Sequence, residues 1–269
     1  MKIGVVGEGM VGKAVVYGMQ KLGHDVSVCD PYLYENSTIN DVIDSHVCFI
    51  CVPTPSAEDG SCDTSTVESV LSELGENAYS GVVAIKSTVS PGTTDALQLC
   101  HPLLTICFVP EFLRERMANA DFVENHDLLA VGTHSQDVFN TIVAAHGRYP
   151  RQTVMMAPIN AEFLKYYNNC YNATLVTLAN SFYEICKASN ANYNAVKSAF
   201  IMRDHVVDRY LDVNDSCRGF GGKCLPKDMR AMSRLAGRLN VNVEFFKMML
   251  HENAKHPTTV FSGMRHEND

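Results

Sequence analysis

The run Gly7-Glu8-Gly9-Met10-Val11-Gly12 constrains this chain more than any other stretch. It follows the short apolar segment Lys2–Val6 and opens a helix-compatible segment through Leu22. A G-x-G-x-x-G between a strand and a helix is the fingerprint of a dinucleotide-binding turn. The first glycine makes the tight turn, the second admits a pyrophosphate, and the third lets helix and strand pack closely. The helix start then offers free amides and the positive end of its dipole to phosphate. Gly7, Gly9, Met10, Val11 and Gly12 are therefore read as cofactor-binding residues. Asp30 follows the second apolar segment, Asp25–Cys29, and stands 18 residues beyond Gly12. That is close to the roughly 20 residues that bring an acid to the adenosine ribose. A carboxylate there accepts from the ribose hydroxyls and repels a 2′-phosphate, so NAD is expected over NADP. The competing reading is a glycine turn in an unrelated α/β fold, with Asp30 in a surface turn. The strand-turn-helix context weighs against it.

Further short apolar segments lie at 47–52, 82–85, 105–109 and 128–131. They alternate with helical stretches such as Ser65–Glu76 and Gly92–Leu99. This alternation predicts an α/β domain over residues 1–155, a Rossmann-type doubly wound parallel sheet with helices on both faces. The pattern then changes. Residues 160–188 contain neither Pro nor Gly, and Leu164, Tyr171, Leu175, Leu178, Phe182 and Ile185 recur at helical spacing. One long connecting helix with an apolar stripe is expected there. More helices are expected over 192–212, 227–239 and 242–255, making 156–269 an all-helical central domain. The tail from Pro257 to Asp269 is polar and expected to fray.

Composition narrows the function classes. A chain of 269 residues with 46% hydrophobic residues can build a proper core, and a formal net charge of −8 disfavours broad binding to nucleic acid. No stretch approaches the roughly 20 apolar residues of a membrane span. The N-terminus runs straight into the first strand without the long apolar stretch of a secretory signal, and no secretory leader is expected. The ten cysteines are scattered, so free thiols and a cytoplasmic setting are expected. Cys48 and Cys51 form a C-x-x-C, but residues three apart on a strand face opposite ways. They are expected to pack as small hydrophobes rather than chelate. Nothing completes a zinc site, and no metal is expected.

The chemistry-bearing stretch is Gly219-Phe220-Gly221-Gly222-Lys223-Cys224-Leu225-Pro226-Lys227-Asp228. Its glycines let backbone come close to a ligand. Its two lysines flank a thiol and favour the thiolate. Asp228 can handle a proton or a water, or can serve only as an acid in the first turn of a helix. Lys165 and Asn169 are four apart on the long helix and so share a face. An ammonium and an amide donor suit an oxyanion, although a lone helix lysine is often only a solvated charge.

Five motifs occur in a recognisable order. They are Cys51-Val52-Pro53-Thr54-Pro55; Lys86-Ser87-Thr88-Val89-Ser90-Pro91-Gly92-Thr93; Pro110-Glu111-Phe112-Leu113-Arg114-Glu115; Ala161-Glu162-Phe163-Leu164-Lys165-Tyr166-Tyr167-Asn168-Asn169; and the Gly219–Asp228 loop. Together they resemble the UDP-glucose/GDP-mannose dehydrogenase family, from residue 1 to about 255. The resemblance implies oxidation of a nucleotide-sugar C6 alcohol to a carboxylate with two NAD. It implies Cys224 as nucleophile, with Lys165 and Asn169 steadying the oxyanion and the water network. Asp228 would assist proton transfer, and Glu111 and Thr88 would position the hydrolytic water. Val52, Pro53, Thr54, Thr88 and Glu115 would line the NAD site, and Phe112, Leu113, Phe220, Gly221 and Lys227, with Lys165 and Asn169, the substrate site. A homodimer through the long helix is also implied.

Three departures stand out. The family's third, C-terminal domain is expected to be missing, which leaves part of the substrate pocket unsupplied. Lys223 stands where the family usually has serine. Arg203, Arg209 and Arg218 all remain candidates for the substrate-contacting arginine. Two alternatives stay open. One is single hydride transfer of the β-hydroxyacid dehydrogenase kind, which resembles this chain in its helix-borne Lys-x-x-x-Asn and needs no thiol. The other is a truncated NAD-binding protein inactive alone.

Overall fold

In the computed structural model, which describes residues 1–222 and 224–256, the chain alternates strand and helix before turning all-helical. The order is β1 (Lys2–Val6), α1 (Met10–Lys21), β2 (Asp25–Cys29), β3 (Val47–Ile50), α2 (Ser65–Glu76), β4 (Val82–Ile85) and α3 (Thr93–Cys100). Then follow β5 (Thr105–Phe108), α4 (Ala118–Val123), β6 (Leu128–Gly132), α5 (Gln136–His146), β7 (Gln152–Met156) and α6 (Pro158–Ala188). The chain continues with α7 (Tyr193–Phe200), α8 (Leu225–Arg238) and α9 (Phe245–Asn253). Lys223 and the tail 257–269, for which a role and fraying were expected, lie outside the described residues. The chain divides into two compact units, one of Met1–Ala57 with Cys62–Lys165, the other of Glu58–Ser61 with Tyr166 onward. The division falls within α6.

The first unit holds a seven-stranded sheet in the order β2-β1-β3-β4-β5-β6-β7. Neighbours from β2 to β5 are parallel. The sheet is mostly rather than wholly parallel, because β6 meets β5 antiparallel at Phe108 and Gly132 and carries β7 parallel to itself. β7 was not anticipated, since its half-exposed Gln-Thr-Val-Met-Met is a weak strand pattern at a sheet edge. The strand residues alternate between two cores, as a period of two requires. Val6, Cys48, Ile50, Val83, Ile85, Ile106 and Phe108 pack with α2 and α3. Ile3, Val5, Val47, Phe49, Ala84, Cys107, Leu129 and Val131 pack with α1, α4 and α5. Cys48 and Cys51 therefore fall on opposite cores. Burial pushes both thiols up, Cys51 to about 12.

In the second unit, α6 supplies Tyr166, Cys170 and Ala173 to a core with Phe220, with Met229, Ala231, Met232 and Leu235 of α8, and with residues of α9. Farther along, Ala179 and Cys186 pack with Tyr193, Leu211 and Val213. The apolar stripe expected along α6 is mostly not the buried face: Tyr171, Leu178, Phe182 and Ile185 are exposed. α6 starts at Pro158, a first-turn position where the missing N–H is not needed. The helix expected over 192–212 stops at Phe200. Beyond it, Lys197 draws in Asp208 and Asp212 at 2.9 and 2.5 Å, and Tyr193 donates to the Leu211 carbonyl at 2.8 Å. Those contacts, with Leu211 and Val213 buried, outweigh helix propensity.

Candidate active site

The glycine turn sits at the carboxyl ends of β1 and β3, where the strand order reverses, the usual ligand crevice of an open α/β sheet. Gly7 has φ +88°, and a Cβ there would lie 3.0 Å from the Cys51 carbonyl. A Cβ on Gly12 would lie 2.0 Å from the Gly7 oxygen, so only glycine lets α1 start this close to β1. Gly9 is the N-cap of α1, and a Cβ there would meet nothing within 4 Å among the described residues. That open cradle before free helix amides fits a pyrophosphate. Met10 and Val11 form the first turn of α1. Asp30 is buried just past β2 and accepts from the Glu8 and Tyr32 N–H groups at 2.7 and 3.1 Å. A carboxylate so held, with lone pairs to spare, suits ribose hydroxyls. The residues present fit NAD.

The loops after β3, β4 and β5 continue that edge of the first unit. Val52 and Thr54 are buried, Pro53 is exposed, and Ser87 donates to the Val52 carbonyl at 2.7 Å. Thr88 is half-buried and its carbonyl accepts from the Cys62 thiol at 3.1 Å. Glu115 is exposed. Phe112 and Leu113 are half-buried, and Lys165 Nζ stands 5.8 Å from the Phe112 ring centre. Lys165 also donates to the main-chain oxygen of Glu111. The Glu111 carboxylate pairs with Lys86 and accepts from the Phe112 N–H at 2.9 Å. Burial opposes its ionisation, yet the Lys86 charge beside it, with His126, holds its carboxyl below the usual carboxylate range. Glu162 has a different use: it caps α3 by accepting from Gly92 N–H, Thr94 N–H and the Thr94 hydroxyl at 2.5, 2.7 and 2.6 Å.

In the second unit, Cys224 is the N-cap of α8 and is exposed. Negative charge is favoured at such a position. The Asp228 N–H donates to the Cys224 carbonyl at 2.9 Å, so acid and thiol share the first helical turn. Asp228 is fully buried. Its oxygens are held by Asn169 Nδ2 at 2.6 Å and Lys227 Nζ at 2.8 Å. Asn169 lies one turn beyond Lys165 on α6. Gly221 is half-buried in the loop. The Phe220 ring is 2% exposed and packs in the core with Tyr166; its main chain pairs with the Asn253 amide at 2.7 and 2.8 Å. Of the three candidate arginines, Arg203 and Arg209 are exposed. Arg218 is buried, bonded to Asn180 at 2.9 Å and to Glu184, and stacked over Tyr183 at 5.0 Å.

Sequence reasoning missed Lys86, Asn180 and Glu184 as parts of these networks. Their partners are far off in the chain, and no spacing signals such pairs. Among the described residues, no group of three or more His, Cys, Asp or Glu could hold a metal ion, and no helix is long and apolar enough to cross a membrane.

Comparison with known proteins gives the arrangement a context. Residues 32–146 match the NAD binding domain of the UDP-glucose/GDP-mannose dehydrogenase family, and residues 159–255 match its central domain. UDP-glucose 6-dehydrogenase of Haloferax volcanii is 27% identical, over 86% of this chain and 64% of that protein. GDP-mannose 6-dehydrogenase of Pseudomonas aeruginosa is 29% identical, over 82% of this chain and 53% of that protein. A solved UDP-glucose dehydrogenase from Pyrobaculum islandicum superposes with a TM-score of 0.86 at 26% identity, over 94% of this chain and 68% of that one. The chain thus spans between about half and two thirds of the length of the curated relatives it matches.

Proposed function

Because the chain belongs to the UDP-glucose/GDP-mannose dehydrogenase family, we propose that it oxidises the C6 alcohol of a nucleotide sugar to the carboxylate. Bound NAD supplies the hydride acceptor for each of two oxidations. Gly9 and the α1 amides hold its pyrophosphate, and Asp30 its ribose. Cys224 adds its sulfur to the C6 carbonyl carbon, giving a thiohemiacetal that the second oxidation turns into a thioester. Water then cleaves the C–S bond and the thiol is regenerated. In sum, one alcohol, two NAD⁺ and one water give one carboxylate, two NADH and three protons. Lys165 and Asn169 stabilise negative charge on the C6 oxygen. Asp228, with Glu111 and Thr88, manages the attacking water. Phe112, Leu113, Gly221 and Lys227 contribute contacts to the sugar nucleotide. The enzyme acts in the cytoplasm as a homodimer.

One observation carries this reading: the buried Asn169–Asp228 contact at 2.6 Å in the same turn as an exposed cysteine. A buried carboxylate is uncommon unless paired, and this paired acid also stands one helical turn from a thiol, the placement that acid–base chemistry at sulfur requires. The test is the NADH formed per sugar nucleotide consumed, with UDP- and GDP-sugars screened first by thermal shift. Two NADH per substrate is expected, and none from Cys224→Ala. A purified chain that binds no NAD would end the reading. A second reading, single hydride transfer from a β-hydroxyacid, draws on the four-residue spacing of Lys165 and Asn169 on α6. It would be favoured by unchanged turnover of a hydroxyacid in Cys224→Ala.

A further inference from the structure

Around the first turn of the cofactor motif, a network joins Asp30 to two residues that the dinucleotide fingerprint does not use. The Tyr34 hydroxyl donates to Glu8 Oε2 at 2.6 Å. The Glu8 N–H donates to Asp30 Oδ2 at 2.7 Å. The Tyr34 N–H donates to the Asp30 main-chain oxygen at 2.9 Å. Two carboxylates are thereby fixed at one edge of the turn. Asp30 is gripped by amides, and the half-buried Glu8 by a phenol. The bond to Glu8 also raises the Tyr34 phenol above its ordinary value.

We propose that Glu8, held by Tyr34 beside Asp30, is a second acidic determinant of cofactor choice that excludes a ribose 2′-phosphate. The proposal rests on the reading of Gly7–Gly12 as an NAD turn and deepens it. The middle position of Gly-x-Gly needs no charge for the turn to form, and its side chain projects from the loop that cradles the phosphates. A neutral ribose hydroxyl can donate to either carboxylate and is not repelled by a second one. A 2′-phosphate brings up to two negative charges and is repelled by each acid separately. In a wet site, one added carboxylate close to such a group disfavours it by about tenfold or more. An acid at the end of β2 alone would be a filter of one charge, whereas here the filter has two.

The test is calorimetric binding of NAD⁺ and NADP⁺ to the full chain and to Glu8→Gln, Asp30→Ala and the double variant. Glutamine keeps an oxygen for Tyr34 to donate to, so this change removes charge while leaving the contact. Glu8→Gln is expected to tighten NADP⁺ about tenfold and leave NAD⁺ within about threefold. The double variant should bind NADP⁺ at least about tenfold tighter than Asp30→Ala. Unchanged NADP⁺ affinity in Glu8→Gln, with NAD⁺ still bound, would overturn the role of Glu8 alone. Failure of the unmodified chain to bind NAD⁺ would remove the premise as well. If the double variant does not fold, the single Glu8→Gln comparison decides.

Discussion

Lys86 Nζ and Glu111 Oε2 lie 2.8 Å apart, with side chains only 1% and 8% exposed. Lys86 follows β4 and Glu111 follows β5, so adjacent parallel strands bring them together. The Phe49 and Phe122 rings flank the ammonium at 5.7 Å each. Lys165 donates to the main chain of Glu111, so the buried pair also fixes the carbonyl that anchors that lysine. Such a pair adds little net stability, but leaving one member alone strands a charge. Lys86→Met should therefore destabilise the fold by about 3–5 kcal/mol, and Lys86→Met with Glu111→Leu by much less. Urea unfolding of the three proteins checks this, and equal midpoints for Lys86→Met and the unmodified chain would refute it.

Stability should also fall in mild acid. Burial pushes His146, and less strongly His126, below the ordinary histidine value of 6.5. His146 Nε2 has no hydrogen-bond partner among the described residues. The unfolded chain takes up protons at these rings below 6.5 while the folded chain does not, so unfolding is favoured as pH drops through that value. Each such histidine costs about 1.4 kcal/mol per pH unit once the unfolded form is protonated. Glu111 adds to the loss only at lower pH, as its depressed carboxyl protonates. Between pH 7.5 and 5.5, His146→Phe should lose about 1 kcal/mol less stability than the unmodified chain. Parallel slopes in the two proteins would show that His146 does not contribute.

The parts legible in the sequence were those that glycine, alternation and motif order report directly. Gly7, Gly9 and Gly12 specify a backbone path, and the short apolar segments specify strands. The Lys86–Glu111 and Tyr34–Glu8 contacts were not legible, because they depend on which elements become neighbours. The apolar residues of α6 misled for a different reason. Both faces carry apolar side chains, Tyr166, Cys170 and Ala173 on one and Tyr171, Leu178 and Phe182 on another, and periodicity does not say which one the chain itself covers.

That exposed face leads to a test of assembly. Tyr167, Tyr171, Leu178, Phe182 and Ile185 are all exposed along α6, and exposed apolar side chains gathered on one helix mark a candidate interaction face. If this face joins two copies, Phe182→Asp with Ile185→Asp should convert a dimer into a monomer in sedimentation equilibrium while the helical signal is kept. A chain that is monomeric before mutation at high concentration would exclude the dimer.

Asp228 offers a chemical test. Asp228→Asn keeps the size and the Asn169 neighbour but removes the charge that faces Lys227. Turnover should fall by about 100-fold or more, the scale of a lost acid–base group. NAD affinity should stay within about twofold, since the residues proposed to hold the cofactor are Gly7–Gly12 and Asp30. A uniform loss of folding, cofactor binding and activity would mean that Asp228 serves only the core.

The two outer glycines of the motif and the middle one should fail in different ways. A Cβ at position 12 meets the Gly7 oxygen at 2.0 Å and one at position 7 meets main chain at 3.0 Å, whereas one at position 9 meets nothing. Gly12→Ala must displace the start of α1 from β1, and overpacking of this kind costs about 1–3 kcal/mol. Gly7→Ala adds strain from its positive φ, because alanine disfavours that region. Gly9→Ala should leave the thermal midpoint nearly unchanged but fill the cradle in which the pyrophosphate would lie. Its NAD affinity should drop at least about tenfold with the fold intact. The paired measurement is thermal unfolding and calorimetric NAD binding on each variant. If Gly9→Ala binds NAD as well as the unmodified chain, the pyrophosphate does not occupy that cradle, and the Gly7–Gly12 turn serves helix packing alone.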